Sequence, residues 1–245
     1  ATPETLDVLW DAGLLESSGS DRYTLHQTIA DYANYPARDT SAQHRLVQYM
    51  ARYIQEHEQD YEALEREEST ILTALDLAAT LELSQELLQG VMGFVDFMRV
   101  RGHYTLAQCL LTQALQVTAT REGPVTRMQL LRCLAEFADL RGEYALAEGY
   151  SQEGLSLARQ IGQQRDTESA LLTTLGLVAY HRGDYARAKG LFEEGLCLAR
   201  GLENRARICT LLTHLGRVLQ YQGDYQQAGT LYQEGLKLAQ ESKQH

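Results

Sequence analysis

Few side chains of this chain fall into patterns that could do chemistry. His57 and Glu58 open a zinc-hydrolase helix motif, but no second histidine stands at the spacing that would complete the ligand set. The run Glu65 to Glu68 offers neighbouring carboxylates and reads as a solvated helix face. Cys109, Cys133, Cys197 and Cys209 share no C-x-x-C spacing, which argues against a zinc or disulfide framework and for buried, reduced thiols of a cytoplasmic protein. Nothing matches the glycine-rich loop with a terminal lysine that cradles phosphates, and the only lysines are Lys189, Lys237 and Lys243. No nucleophile, base and orienting group stand out as a set, so the expectation is a non-enzymatic chain with no metal or cofactor of its own.

The formal net charge of −11 argues against nucleic acid or an anionic membrane as partner. No apolar run approaches the roughly 20 residues of a membrane span. At 44% hydrophobic residues the 245-residue chain has material for a sizeable core, and only three prolines among many Leu, Ala, Gln, Glu and Arg fit a mainly helical protein. It opens ATPETLDVL without a Met, which leads to the expectation of an excised segment.

The elements that must position any binding surface are repeated. RGDYARAKGLFEEGLCLAR, Arg182 to Arg200, has near-copies at Arg141 to Arg159, Gln222 to Gln240 and, more worn, Arg101 to Ala119. The opening glycines Gly102, Gly142, Gly183 and Gly223 fall 40, 41 and 40 residues apart. Such a period marks stacked helical units. From Gly183, an aromatic follows at plus two (Tyr185), alanine at plus five (Ala188), a large apolar residue at plus nine (Phe192) and glycine at plus twelve (Gly195); Leu175 and Gly176 precede it by eight and seven. Glycine at plus twelve recurs in three copies (Gly154, Gly195, Gly235), each at a helix-propensity cost of roughly 1 kcal/mol, which predicts a backbone approach that admits no side chain.

This pattern resembles the tetratricopeptide repeat (TPR). The resemblance implies an all-α, right-handed solenoid of antiparallel helix pairs, with helices longer than usual because each unit carries about six extra residues. It also implies a concave groove lined by the first helix of each pair. The groove positions carried over are Asp96 and Arg99; Arg132, Glu136 and Asp139; Thr173, Tyr180 and His181; and Thr213, Arg217, Gln220 and Tyr221. Both charge signs and aromatics in one groove suit a protein or peptide ligand.

Ahead of the repeats, residues 4 to 12 have helical spacing, Leu14 and Leu15 lead into the turn-rich ESSGSDR and then Tyr23, Thr24 and Leu25, and a helix is predicted from His26 to Asn34. Leu9 to Ala33 resembles the winged-helix end of the nucleotide-binding module of STAND-type (NB-ARC) signal-transduction ATPases. There a Met-His-Asp motif sets its histidine near the nucleotide; the matching residues are Leu25, His26 and Gln27, without the acid. The resemblance implies that His26 contacts ATP or ADP in a longer parent protein, while this chain itself holds no cofactor. A winged helix also suits DNA, but seven acids against Arg22 and Arg38 in residues 1 to 40 exclude direct binding as the default. Residues 41 to 58 and 60 to 80 form two amphipathic patterns, with Thr40 or Ser41 as N-cap. They resemble, more loosely, the helical connector of the same family.

The domains expected are therefore 1–39 (partial winged helix with a small β-hairpin), 40–82 (connector or worn repeat) and 83–245 (about four repeats). The function implied is a sensor region that binds a peptide or protein and controls a nucleotide switch outside the chain. The alternatives are a constitutive interaction scaffold, or the sensor of a transcriptional regulator whose DNA-binding domain lies elsewhere.

Overall fold

The computed structural model describes residues 15–19, 22–25, 40–119 and 122–242. The chain divides into two compact units, 1–46 and 47–245. In the first, strands β1 (Leu15–Gly19) and β2 (Arg22–Leu25) pair antiparallel, with Leu15 opposite Leu25 and Ser17 opposite Tyr23. The helices expected over 4 to 12 and 26 to 34, and His26 with them, lie outside the described residues.

Eleven helices follow among the described residues: α1 (Ser41–Glu56), α2 (Tyr61–Arg66), α3 (Glu68–Thr80), α4 (Ser84–Arg101), α5 (Tyr104–Thr118), α6 (Pro124–Leu140), α7 (Tyr144–Ile161), α8 (Arg165–His181), α9 (Tyr185–Gly201), α10 (Arg205–Tyr221) and α11 (Tyr225–Ser242). From α4 onward they pair as four antiparallel hairpins, and each helix packs on the next. The pattern expected as one helix over 60 to 80 is broken at Glu67, which closes α2 and opens α3. Glu65 and Glu68 are not simply solvated: Glu65 meets Arg101 at 2.5 Å, and Glu68 meets His103 at 3.0 Å, tying this pair to the first repeat.

The hairpin bends are equivalent. Gly102, Gly142, Gly183 and Gly223 all have φ between 75° and 85°, the left-handed region in which a Cβ is strained. After each, the next residue's N–H donates to the carbonyl five positions back, as from Asp184 to Ala179 (2.9 Å) and from Asp224 to Leu219 (2.9 Å). Asp184 and Asp224 then cap the second helix, each accepting from the N–H three residues on at 3.0 Å. Non-glycine residues at φ 53° to 58° mark the other bends: Glu82 ahead of the first repeat, and Gln163, after Gly162 at φ 71°, and Glu203 between later repeats.

Small residues sit where paired helices cross: Ala107, Ala147, Ala188 and Ala228 are buried. The Gly176 and Gly216 positions lie under the rings of Phe192 and Tyr232. The glycine at plus twelve needs a correction. A Cβ on Gly154 would meet Leu171 at 3.2 Å, whereas on Gly195 the nearest atom is at 3.4 Å and on Gly235 at 3.8 Å, which is ordinary contact. Gly154 and Gly195 are approached by the helix that follows as well as the one before; Gly235 meets residues of α10 alone. The cysteine expectation also needs amendment: none is bonded, but only Cys133 is buried, while Cys109 and Cys197 are exposed on second helices.

Candidate functional site: a groove along the first helices

The first helices touch across repeats, α6 on α8 and α8 on α10, whereas the second helices α7, α9 and α11 stand farther apart. Long side chains bridge that wider side, Arg159 to Glu194 and Arg200 to Glu234, each at 2.6 Å. On the closer side, residues of α4, α6, α8 and α10, with Glu122 from a turn, bound one cavity of about 610 Å3. Gln85, Gln89, Met92, Gln129, Thr167 and Arg207 line it together with Arg132, the single sequence-derived groove residue there. Sequence reasoning missed the rest. They continue the same helical faces toward the N-termini in steps of three and four residues, a periodicity that was available in the chain. Asp166, also on the wall, is held by Arg207 through both carboxylate oxygens (3.1 Å each) and by Asn204 (2.9 Å).

Toward the bends, the carried-over residues gather into two clusters. Arg99 donates to Asp96 at 2.5 Å and its Nε lies 2.6 Å from Glu136. Burial alone would lower the Arg99 pKa; the Glu136 and Asp96 carboxylates outweigh it and raise it, so the ion remains charged. Arg132 is only loosely engaged, with Nη1 3.7 Å from Glu136 and Nη2 donating to the Cys133 sulfur at 3.4 Å. Asp139 has a buried Oδ1 with no hydrogen-bond partner among the described residues. Burial pushes its carboxyl pKa up, the Glu136 charge adds to that, and the nearby His181 opposes it.

The second cluster is aromatic. His181 stacks on Tyr144 (centroids 5.1 Å apart), Tyr221 stacks on Tyr185 (5.2 Å), and Tyr180 meets Tyr221 edge-on (5.5 Å). Each stack joins the residue two after one bend glycine to the residue two before the next. Arg217 lies over the Tyr180 ring, 4.7 Å from its centroid, and donates to the Tyr180 hydroxyl at 3.3 Å. Gln220 accepts from the Tyr232 hydroxyl at 3.1 Å. Thr173 and Thr213 spend their hydroxyls on their own helices, donating to Ser169 and Cys209 carbonyls. His214, beside this cluster and absent from the carried-over set, stacks on Phe192 at 5.2 Å. Its imidazole is held down to about 4, first by burial and then by the Arg217 and His181 charges.

Residues 208–242 match the family model of the tetratricopeptide repeat. The helical array is a tetratricopeptide-type solenoid. No curated protein sequence matches the chain. Among solved structures the chain is similar to the Podosopora anserina putative kinesin light chain nearly identical TPR-like repeats, with a TM-score of 0.58 at 14% identity, covering 85% of this chain and 100% of that one. It is similar also to Rap protein complexed with Competence and Sporulation Factor (TM-score 0.56, 14% identity, 87% and 69% covered). A third likeness is BtubC from P. vanneervenii (0.54, 16%, 84% and 94%). At these identities the likeness is one of fold. Among the described residues no three His, Cys, Asp or Glu converge to hold a metal ion, and no helix is long and apolar enough to cross a membrane.

Proposed function

We propose that this TPR array is a non-catalytic module that binds a peptide or protein segment along the first helices of its repeats. The observation that carries the reading is the cavity shared by α4, α6, α8 and α10, continued toward the bends by the Tyr180, His181 and Tyr221 cluster. Four helices facing one shared space offer contacts at intervals along a chain, and the exposed rings of His181 and Tyr221 beside the partly buried Tyr180 supply contact area at low conformational cost. The similar Rap structure, described as complexed with Competence and Sporulation Factor, supports the reading by showing a ligand on the same fold. Peptides selected from a display library on the wild-type chain should bind an Arg132→Ala/Arg217→Ala variant at least tenfold more weakly. Undiminished binding would move the site off this face.

The proposal extends to a sensor that acts on a nucleotide switch, with 1–39 as the end of a winged helix, 40–82 as connector and 83–245 as the ligand-binding array. Its support is the Leu9 to Ala33 resemblance, with His26 as the nucleotide-contacting residue of a longer parent, and the β1–β2 hairpin within that stretch. Ligand can drive such a switch only by binding its two states unequally. Nucleotide turnover by a parent protein that is unchanged by saturating ligand would leave the constitutive scaffold.

A further inference from the structure

Charge is distributed unevenly between bonded and unbonded groups along α6. Arg99 engages the carboxylates of Asp96 and Glu136, and Asp166 is satisfied by Arg207 and Asn204. Two groups on the same helix are left over. Arg132 reaches into the 610 Å3 cavity with a sulfur acceptor at 3.4 Å and a carboxylate no nearer than 3.7 Å. Asp139 carries a buried oxygen that accepts from nothing among the described residues, next to the His181 ring stacked on Tyr144. A buried carboxylate oxygen without a donor is costly to leave unmet, and a guanidinium keeps several directed donors.

Arg132 and Asp139 are seven residues apart, two helical turns, so they share one face about 10 Å apart along the axis. A peptide in the extended polyproline II form spans about 9 Å in three residues and, with three residues per turn, returns side chains three positions apart to the same side. Resting on the groove reading above, we propose that the groove selects an extended peptide with one acidic and one basic side chain three positions apart, the carboxylate seated at Arg132 and the ammonium or guanidinium at Asp139 against the His181 and Tyr144 rings. Bidentate geometry suits the first contact, and aromatic faces add attraction for the cation in the second. A peptide with two acids at these positions would set like charges against Asp139, and one with two bases would do so against Arg132.

The test pans a random heptapeptide display library on the whole chain and on three variants, Arg132→Gln, Asp139→Asn and the exchange Arg132→Glu/Asp139→Lys. Wild type should enrich an acid and a base three positions apart. Each single variant should lose tenfold or more in affinity for those peptides, and each should lose enrichment of the one charge it faced. The exchange variant should prefer peptides with acid and base transposed. Thermal melts identify any variant that fails to fold; should the exchange fail, the two isosteric singles decide. Peptides that depend on Arg217 but carry no such charge pair would overturn this inference and leave the groove reading standing. An absence of any groove-dependent peptide would overturn both.

Discussion

A methyl group in place of the Gly176 hydrogen would stand 2.4 Å from Cε1 of Phe192, well inside contact distance, and the same holds between Gly216 and Tyr232. The pairing of glycine with a ring belongs to the third and fourth repeats alone: at the same two positions the second has Ala135 with Ser151 and the first Val95 with Leu111. In the third and fourth repeats the missing side chain on the first helix is what makes room for the ring on the second. Gly176→Ala is therefore expected to destabilise the chain by about 1 to 3 kcal/mol despite the better helix propensity of alanine. Adding Phe192→Leu should return part of that loss. Thermal melts of the four members of the cycle would show a coupling above about 0.5 kcal/mol, and simple additivity would refute this fit.

Glycines at other places in the same helices should behave in the opposite way. A Cβ on Gly190, exposed within α9, meets nothing within 4 Å. Gly190→Ala should stabilise by up to about 1 kcal/mol, and Gly235→Ala by a similar or smaller amount. Gly154→Ala should gain little or lose, because Leu171 must give way. Urea midpoints for the three variants would rank them.

The bends give a paired prediction. Gly183→Ala should cost about 1 to 2 kcal/mol, since its φ of 81° is strained for any L side chain. Glu203 occupies the same region at φ 54°, so Glu203→Gly should be stabilising or neutral. A loss on Glu203→Gly would mean that its side chain does more than its backbone.

His214 predicts a pH dependence. Its folded-state value near 4 lies below the ordinary imidazole value of about 6.5, so the unfolded chain takes up the proton first. The stability that neutral His214 contributes is present above about pH 6.5 and declines as pH falls toward 4, by about 3 kcal/mol over the window. Denaturant melts of His214→Gln should show a flatter profile between these values. A profile parallel to wild type would place the titration elsewhere.

The features that were legible in the chain are those set by local geometry. A left-handed bend favours glycine, so Gly102, Gly142, Gly183 and Gly223 declared the hairpins, and the recurring alanine five residues on declared the crossings, whereas Glu82, Gln163 and Glu203 adopt the same region without that signal. What could not be read depends on distant partners. Glu65 and Glu68 looked solvated because Arg101 and His103, their counterparts, come more than thirty residues later. The cavity forms because four separated helices converge, and only Arg132 among its lining was named beforehand. The cysteines failed for a different reason: Cys109 and Cys197 lie on helical phases away from the crossing alanines, which residue type alone does not reveal.

The regular bridging of the second helices, Arg159 to Glu194 and Arg200 to Glu234, joins the same two registers in successive units. A duplicated stretch of forty residues cut at the glycine bends would arrive carrying both halves of this handshake, together with its own bend and crossing alanine. The molecule is thereby open to growth or shortening by whole modules, with each new joint assembled from parts that neighbouring modules already possess.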